Sequence, residues 1–208
     1  MVRVSEGISE LGRMEVCVVG HGMSLKGAGL GAKIDKHEQV VRLKNCSDLL
    51  ENTKDYGRKT TVMFSSTEVC WQLHKVVAEE YWCFPKYDAY NTDLIDQLRK
   101  KVNGPRVRVL AHQSMVWNKL FRDMGGKHPN VSTGMAAIIS VCELLNPRIL
   151  HLAGFDTVMN PKLDYISTVP TPFNDGGTKS TGHDWTAENQ LLQFIGEHFK
   201  SVNISCLR

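Results

Sequence analysis

The alternation of short apolar runs with longer amphipathic segments constrains this chain more than any other feature. Val16 to Gly20, Gln39 to Leu43, Thr60 to Phe64, Val107 to Ala111 and Ile149 to Ala153 form the short runs. Several are nearly continuous in apolar character, the pattern of parallel strands buried on both faces. Between them apolar positions recur at helical spacing. Glu68 to Glu80 sets Val69, Leu73, Val76 and Val77 on one face, and Thr92 to Val102 does the same with Leu94, Ile95, Leu98 and Val102. Ser114 to Met124, Gly134 to Leu145 and Asp184 to Phe199 complete the helical set. Strands alternating with helices predict an α/β fold, a single Rossmann-like domain over residues 1–208 with a mostly parallel central sheet flanked by helices.

Composition narrows the class further. At 208 residues, 42% apolar and 23% charged, the chain has the balance of a soluble globular domain with one core. A net charge of +3 with interspersed signs excludes a strongly basic nucleic-acid binder. The densest basic stretch, Arg99, Lys100, Lys101, Arg106 and Arg108, reads as a helix end leading into a strand, with a phosphate-tracking surface as the alternative. The longest apolar stretch, Met135 to Ile139, is far short of the ~20 residues of a membrane span, and the opening residues lack a signal-peptide run. Six cysteines without a CxxC pair read as buried thiols of a reducing compartment.

In parallel α/β sheets ligands bind beyond the carboxyl ends of the strands, so the residues following each run matter most. Gly20-His21-Gly22-Met23-Ser24 leaves the first run through glycines and enters a helical stretch, a geometry that lets backbone amides approach an anion. His128-Pro129-Asn130-Val131-Ser132-Thr133-Gly134 precedes an apolar helix that Ser132 or Thr133 can cap, leaving first-turn amides for a phosphate or carboxylate. Residues 157 to 182 hold Pro161, Pro170, Pro172, Gly176 and Gly177 with little periodicity and read as a long loop, a candidate lid. Thr181-Gly182-His183-Asp184 then opens the last helix, with Thr181 and Asp184 as a capping pair and His183 in the first turn, a setting that favours a neutral imidazole able to act as a base. The chain has no Asp-x-Asp, no Cys/His set with zinc spacing and no GxSxG elbow, so no metal or cofactor is expected.

Taken together these segments resemble the ordered motifs of the eukaryotic-type sialyltransferase family, glycosyltransferase family 29. Residues 16–45, VCVVGHGMSLKGAGLGAKIDKHEQVVRLKN, resemble the long sialyl motif, with Gly29-Leu30-Gly31, Ile34 to Glu38 and Val41-Arg42 matching almost position by position. Residues 128–157, with Ser132-Thr133-Gly134 and Leu152-Ala153-Gly154-Phe155, resemble the short motif, and His183 to Glu188 resembles the very short motif. The resemblance implies a sialyltransferase-type GT-A variant of the Rossmann-like fold. It also implies an inverting, metal-independent transferase that takes a CMP-sugar donor, typically CMP-sialic acid, and a glycan acceptor. Donor binding then carries to Gly20, His21, Gly22, Ser24, Lys44, Asn45, Ser132, Thr133 and Gly134, and the general base to His183, with Asp184, Glu188 and His128 in support.

Departures from the family pattern qualify the substrate. His21 and Ser24 stand where the family has asparagines, and Lys44 precedes Asn45 where it has another. Cys17 and Cys142 are offset from the family's disulfide positions, which implies no bridge and a cytoplasmic protein, of a bacterium or of an infected host cell. No His-Tyr-Tyr-like third motif is present; His128 or His151 is left to supply a second histidine, with His151 read as a structural residue of its strand. Alternative readings are CMP-Kdo as donor, a hydroxylated base of phage DNA as acceptor, or a non-catalytic nucleotide-binding Rossmann module.

Overall fold

The computed structural model describes residues 14–44, 46–47, 49–85, 92–102, 106–156 and 184–207. Seven strands are described: β1 (Glu15–Val19), β2 (Gln39–Leu43), β3 (Val62–Ser66), β4 (Glu80–Phe84), β5 (Arg106–Val109), β6 (Ile149–Ala153) and β7 (Asn203–Cys206). They form one sheet in the order β5-β4-β3-β2-β1-β6-β7, every pair parallel. The described α-helices are α1 (Gly31–Asp35), α2 (Thr53–Tyr56), α3 (Thr92–Val102), α4 (Ala111–Asp123), α5 (Thr133–Leu145) and α6 (Trp185–His198).

Side chains alternate across each strand, and both faces are apolar, which is why the strands read as unbroken runs. On one face Val16, Val18, Val41, Phe64 and Trp82 pack with Met135, Ile138 and Ile139 of α5 and Leu191 and Ile195 of α6. On the other, Met63, Tyr81 and Cys83 pack with Ile95 and Leu98 of α3, while Cys17, Val19 and Val40 pack with Ile34 and Tyr56 of α1 and α2. The result is a three-layer α/β/α domain, the expected class, with a sheet that is wholly parallel.

Three local expectations change. The amphipathic helix expected over Glu68 to Glu80 is instead a 3-10 segment, Thr67–Lys75, followed by β4. Val77, expected on its apolar face, is 90% exposed. Glu80-Tyr81-Trp82-Cys83-Phe84 is aromatic-rich and buried on both faces, a better strand than helix end. The glycine-rich turn after β1 leads into one 3-10 turn, Met23–Leu25, and not into a helix whose dipole would reach a ligand. The cap of α6 is Asp184 itself, whose side chain accepts from the Ala187 amide. His183, Asn45, Thr181 and the candidate lid at 157 to 182 lie outside the described residues.

Candidate functional site

From β1 the chain moves outward strand by strand to β5, then returns to the far side of β1 with β6. The carboxyl ends of β1 and β6 therefore flank the switch point, where open parallel sheets bind ligands. The loops at this point are bonded to each other. Gly20 N–H donates to Ala153 O at 2.8 Å and Gly22 N–H to Gly154 O at 2.9 Å. A Cβ on Gly20 would lie 2.5 Å from Gly154 O, so bare backbone is required there, and one on Gly22 would lie 2.7 Å from the Asp156 carboxylate and push that side chain aside. Gly154 itself turns at φ +70°, open to glycine at little cost. Asp156 closes the seam by accepting from Ser24 N–H at 2.9 Å and from the Ser24 hydroxyl.

Helix α5 brings the second segment to the same edge. Ser132 caps it, its Oγ accepting from Met135 N–H at 3.1 Å. Thr133 and Gly134 supply the remaining first-turn amides, the electropositive end of a 13-residue helix. Phe155 joins the two segments: a Cβ on Gly134 would lie 2.9 Å from its ring and one on Gly20 3.1 Å from it.

The third segment docks through Glu188. Its buried carboxylate accepts from Ser132 N–H and from the Ser132 hydroxyl, both at 2.8 Å, fixing α6 against the start of α5. Asp184 adds a bond from Lys127 N–H at 3.3 Å. His128 turns back on its own loop, Nδ1 lying 2.9 Å from Asn130 O and 3.2 Å from Asn130 N. It therefore shapes the loop that carries Ser132.

His21 and Lys44 follow β1 and β2 and interact electrostatically. Burial first, then Lys44, pushes the His21 imidazole down to about 4 against a bond to the Leu43 carbonyl, leaving the ring neutral at physiological pH. The edge thus combines helix amides, one cation and a neutral ring that can donate and accept hydrogen bonds.

Of the residues expected from sequence, the described Gly20, His21, Gly22, Ser24, Lys44, Ser132, Thr133 and Gly134 all stand at the carboxyl edge, with Asp184 and Glu188 bonded to its loops. Phe155, part of the short-motif resemblance, and Asp156 join the edge without being among the expected site residues; for Asp156 the signal in sequence is its position soon after a strand. His151 lies in β6, with Nδ1 3.0 Å from Ser205 Oγ, away from this edge. In the basic stretch, Arg99 pairs with Asp96 at 3.0 Å, and Arg106 and Arg108 pair with Glu80 at 3.3 and 2.8 Å. Those arginines are committed to acidic neighbours within the protein.

Residues 6–86 match the family model described as glycosyltransferase family 29 (sialyltransferase). The chain is similar to the type 2 lactosamine alpha-2,3-sialyltransferases of rat, at 23% identity, and human, at 24%, each alignment covering 90% of this chain and 63% of the relative. It thus spans less than two thirds of the length of those relatives. A crystal structure of a mammalian sialyltransferase superposes with a TM-score of 0.58 at 19% identity, covering 94% of this chain and 70% of that one. A complex of a mammalian sialyltransferase with Gal-beta-1-3GalNAc-ortho-nitrophenol gives 0.56, also at 19% identity and with the same coverage. No described helix is long and apolar enough to cross a membrane. The chain is thus similar to glycosyltransferase family 29 over residues 6–86 and shares the fold of a mammalian sialyltransferase.

Proposed function

We propose that the protein is an inverting, metal-independent glycosyltransferase that moves a CMP-activated acidic sugar, sialic acid or a close relative, to a hydroxyl of a glycan acceptor. The observation that carries this reading is the meeting of the β1 turn, the capped start of α5 and the Glu188 anchor of α6 at one switch point. Such an edge suits a nucleoside monophosphate leaving group. The amides of Thr133 and Gly134 and the cation of Lys44 are the groups to take up charge as the CMP phosphate departs. Neutral His21 and Ser24 suit hydrogen bonding to the nucleoside.

His183 is the proposed general base. It removes the acceptor proton as that oxygen attacks the anomeric carbon, the bond to the CMP phosphate breaks, and configuration at the carbon inverts. Metal independence rests on the absence of an Asp-x-Asp pair from the sequence and on amides and Lys44 being suited to the phosphate. The family match and the similarity to type 2 lactosamine alpha-2,3-sialyltransferases support a glycan acceptor. A cytoplasmic site of action is the companion proposal, supported by six cysteines that are all free thiols.

The test is CMP release from CMP-sialic acid and CMP-Kdo in the presence of glycan acceptors. His183→Ala should lower turnover by roughly 100-fold or more while leaving CMP affinity within about twofold. Unchanged turnover in that variant would overturn the assignment of the base. Undiminished CMP binding without any transfer in the parent protein would favour the nucleotide-binding module.

A further inference from the structure

At the opposite end of the sheet, three ligand-type side chains from distant parts of the chain converge. Glu15 opens β1, His37 lies just ahead of β2, and His151 stands in β6 beside Cys17. One candidate ligand atom from each lies within 4.8 Å of the other two. The two imidazoles meet edge to face, with centroids 4.8 Å apart and planes at 68°.

The groups around these rings orient them as the neighbours of metal-bound histidines do. His37 Nδ1 is 3.0 Å from Ile34 O, and since a carbonyl only accepts, the proton is on Nδ1 and Nε2 keeps its lone pair. His151 Nδ1 is 3.0 Å from Ser205 Oγ, a hydroxyl able to accept from it, and Nε2 is then the atom that can take a ligand. Glu15 Oε1 pairs with Arg148, and Oε2 remains for coordination. His37 is buried, whereas the Glu15 side chain is 37% exposed, so an ion has a route in from solvent.

We infer that Glu15, His37 and His151 form a divalent transition-metal site of the two-histidine, one-carboxylate type, suited to Zn²⁺, remote from the donor edge. Zinc bonds of about 2.0–2.1 Å place tetrahedral ligand atoms about 3.4 Å apart, so loading draws the flexible Glu15 side chain inward. The ion links the starts of β1 and β2 to β6 and leaves a fourth position to water. Its role is structural, stapling two strands to the loop that follows α1.

The test uses the full chain stripped with chelator and titrated with Zn²⁺ by calorimetry, with Co²⁺ as an optical probe. One ion per chain should bind, with a melting rise of about 5 °C at a hundredfold excess over Kd. Co²⁺ should give visible bands of a nitrogen and oxygen site without the intense near-ultraviolet sulfur-to-cobalt band. His151→Gln and Glu15→Gln should each weaken binding at least tenfold. Glu15 is part-exposed, so Glu15→Gln keeps the test open if the strand substitution impairs folding. Absence of stoichiometric binding, a sulfur-to-cobalt band, or full affinity in Glu15→Gln would overturn the site.

Discussion

The two halves of the long-motif segment have different work. Residues 16–25 end at the switch point, where Gly20, Gly22 and Ser24 are bonded to the loop after β6. Residues 27–42 instead form α1 and most of β2 and carry polar contacts to α2 and the segment after it. The Asp55 carboxylate accepts from Gly27 N–H at 2.7 Å and Gly29 N–H at 2.9 Å, at two glycines with φ of +79° and +67°. Asp35 accepts from the amides of Arg58 and Lys59, and buried Arg42 donates to the carbonyls of Lys59 and Tyr56. A motif that resembles a family's signature is therefore part sheet-edge loop, the part proposed to bind the donor, and part polar truss. Residue identity alone does not separate the two.

Substitutions in each half sharpen the contrast. The largest effect is expected at Gly31, where a Cβ would sit 1.9 Å from Thr53 O with backbone on both sides. Gly31→Ala should cost at least about 3 kcal/mol in urea unfolding, and a loss below about 1 kcal/mol would show that α1 and α2 are not seated this way. Gly20→Ala, by contrast, should weaken CMP binding as well as stability, because its clash is with the site loop at Gly154.

The next effect depends on pH. His21 is held neutral in the folded protein, down to about 4, while the unfolded chain titrates near 6.5. The unfolded state then binds more protons between these values, so His21's contribution is complete above pH 6.5 and is lost as pH falls toward 4. Stability should fall by on the order of 3 kcal/mol across that window, and His21→Asn should remove this component of the slope. Equal slopes in parent and variant would place the ring in water.

Glu188→Gln comes third. One accepting oxygen becomes an N–H₂ group facing a Ser132 hydroxyl that already accepts from Met135. A loss of about 1–2 kcal/mol is expected, together with weaker CMP binding as the start of α5 loosens. Retained stability would mean that α6 docks by its apolar face alone. The smallest effect is at Asp55, whose carboxyl is held below its ordinary 3.8 chiefly by the Gly27 and Gly29 amides. Its contribution is present above pH 3.8 and lost below it, so Asp55→Asn should flatten the acid limb of the stability profile without moving CMP affinity.

Much of this architecture is legible in local sequence. Continuous apolar runs give β1, β2 and β6, and helical spacing gives α3 to its exact ends, Thr92 and Val102. The strand Glu80–Phe84 is hidden because its first residue also ends the helical segment whose apolar stripe begins near Val69, and only tertiary burial of Trp82 and Phe84 decides between them. β7 was hidden by its mixed composition, Asn-Ile-Ser-Cys, at the sheet edge. What local sequence does not carry is contact across the crossover. Ser24 and Asp156 meet over 132 positions, and Glu188 meets Ser132 over 56. Glu15, His37 and His151, likewise far apart in sequence, come together only in the fold.

The central claim, that the β1–β6 edge with the start of α5 is a CMP-sugar site, is tested most directly by thermal stability against CMP, CDP, UMP, UDP, AMP, GMP and NAD. A nucleotide at about 100 times its dissociation constant adds about 2.7 kcal/mol. The account predicts that CMP stabilises selectively and that Gly20→Ala blunts the response. Stabilisation by UDP or NAD alone, or by none of the panel, would contradict it.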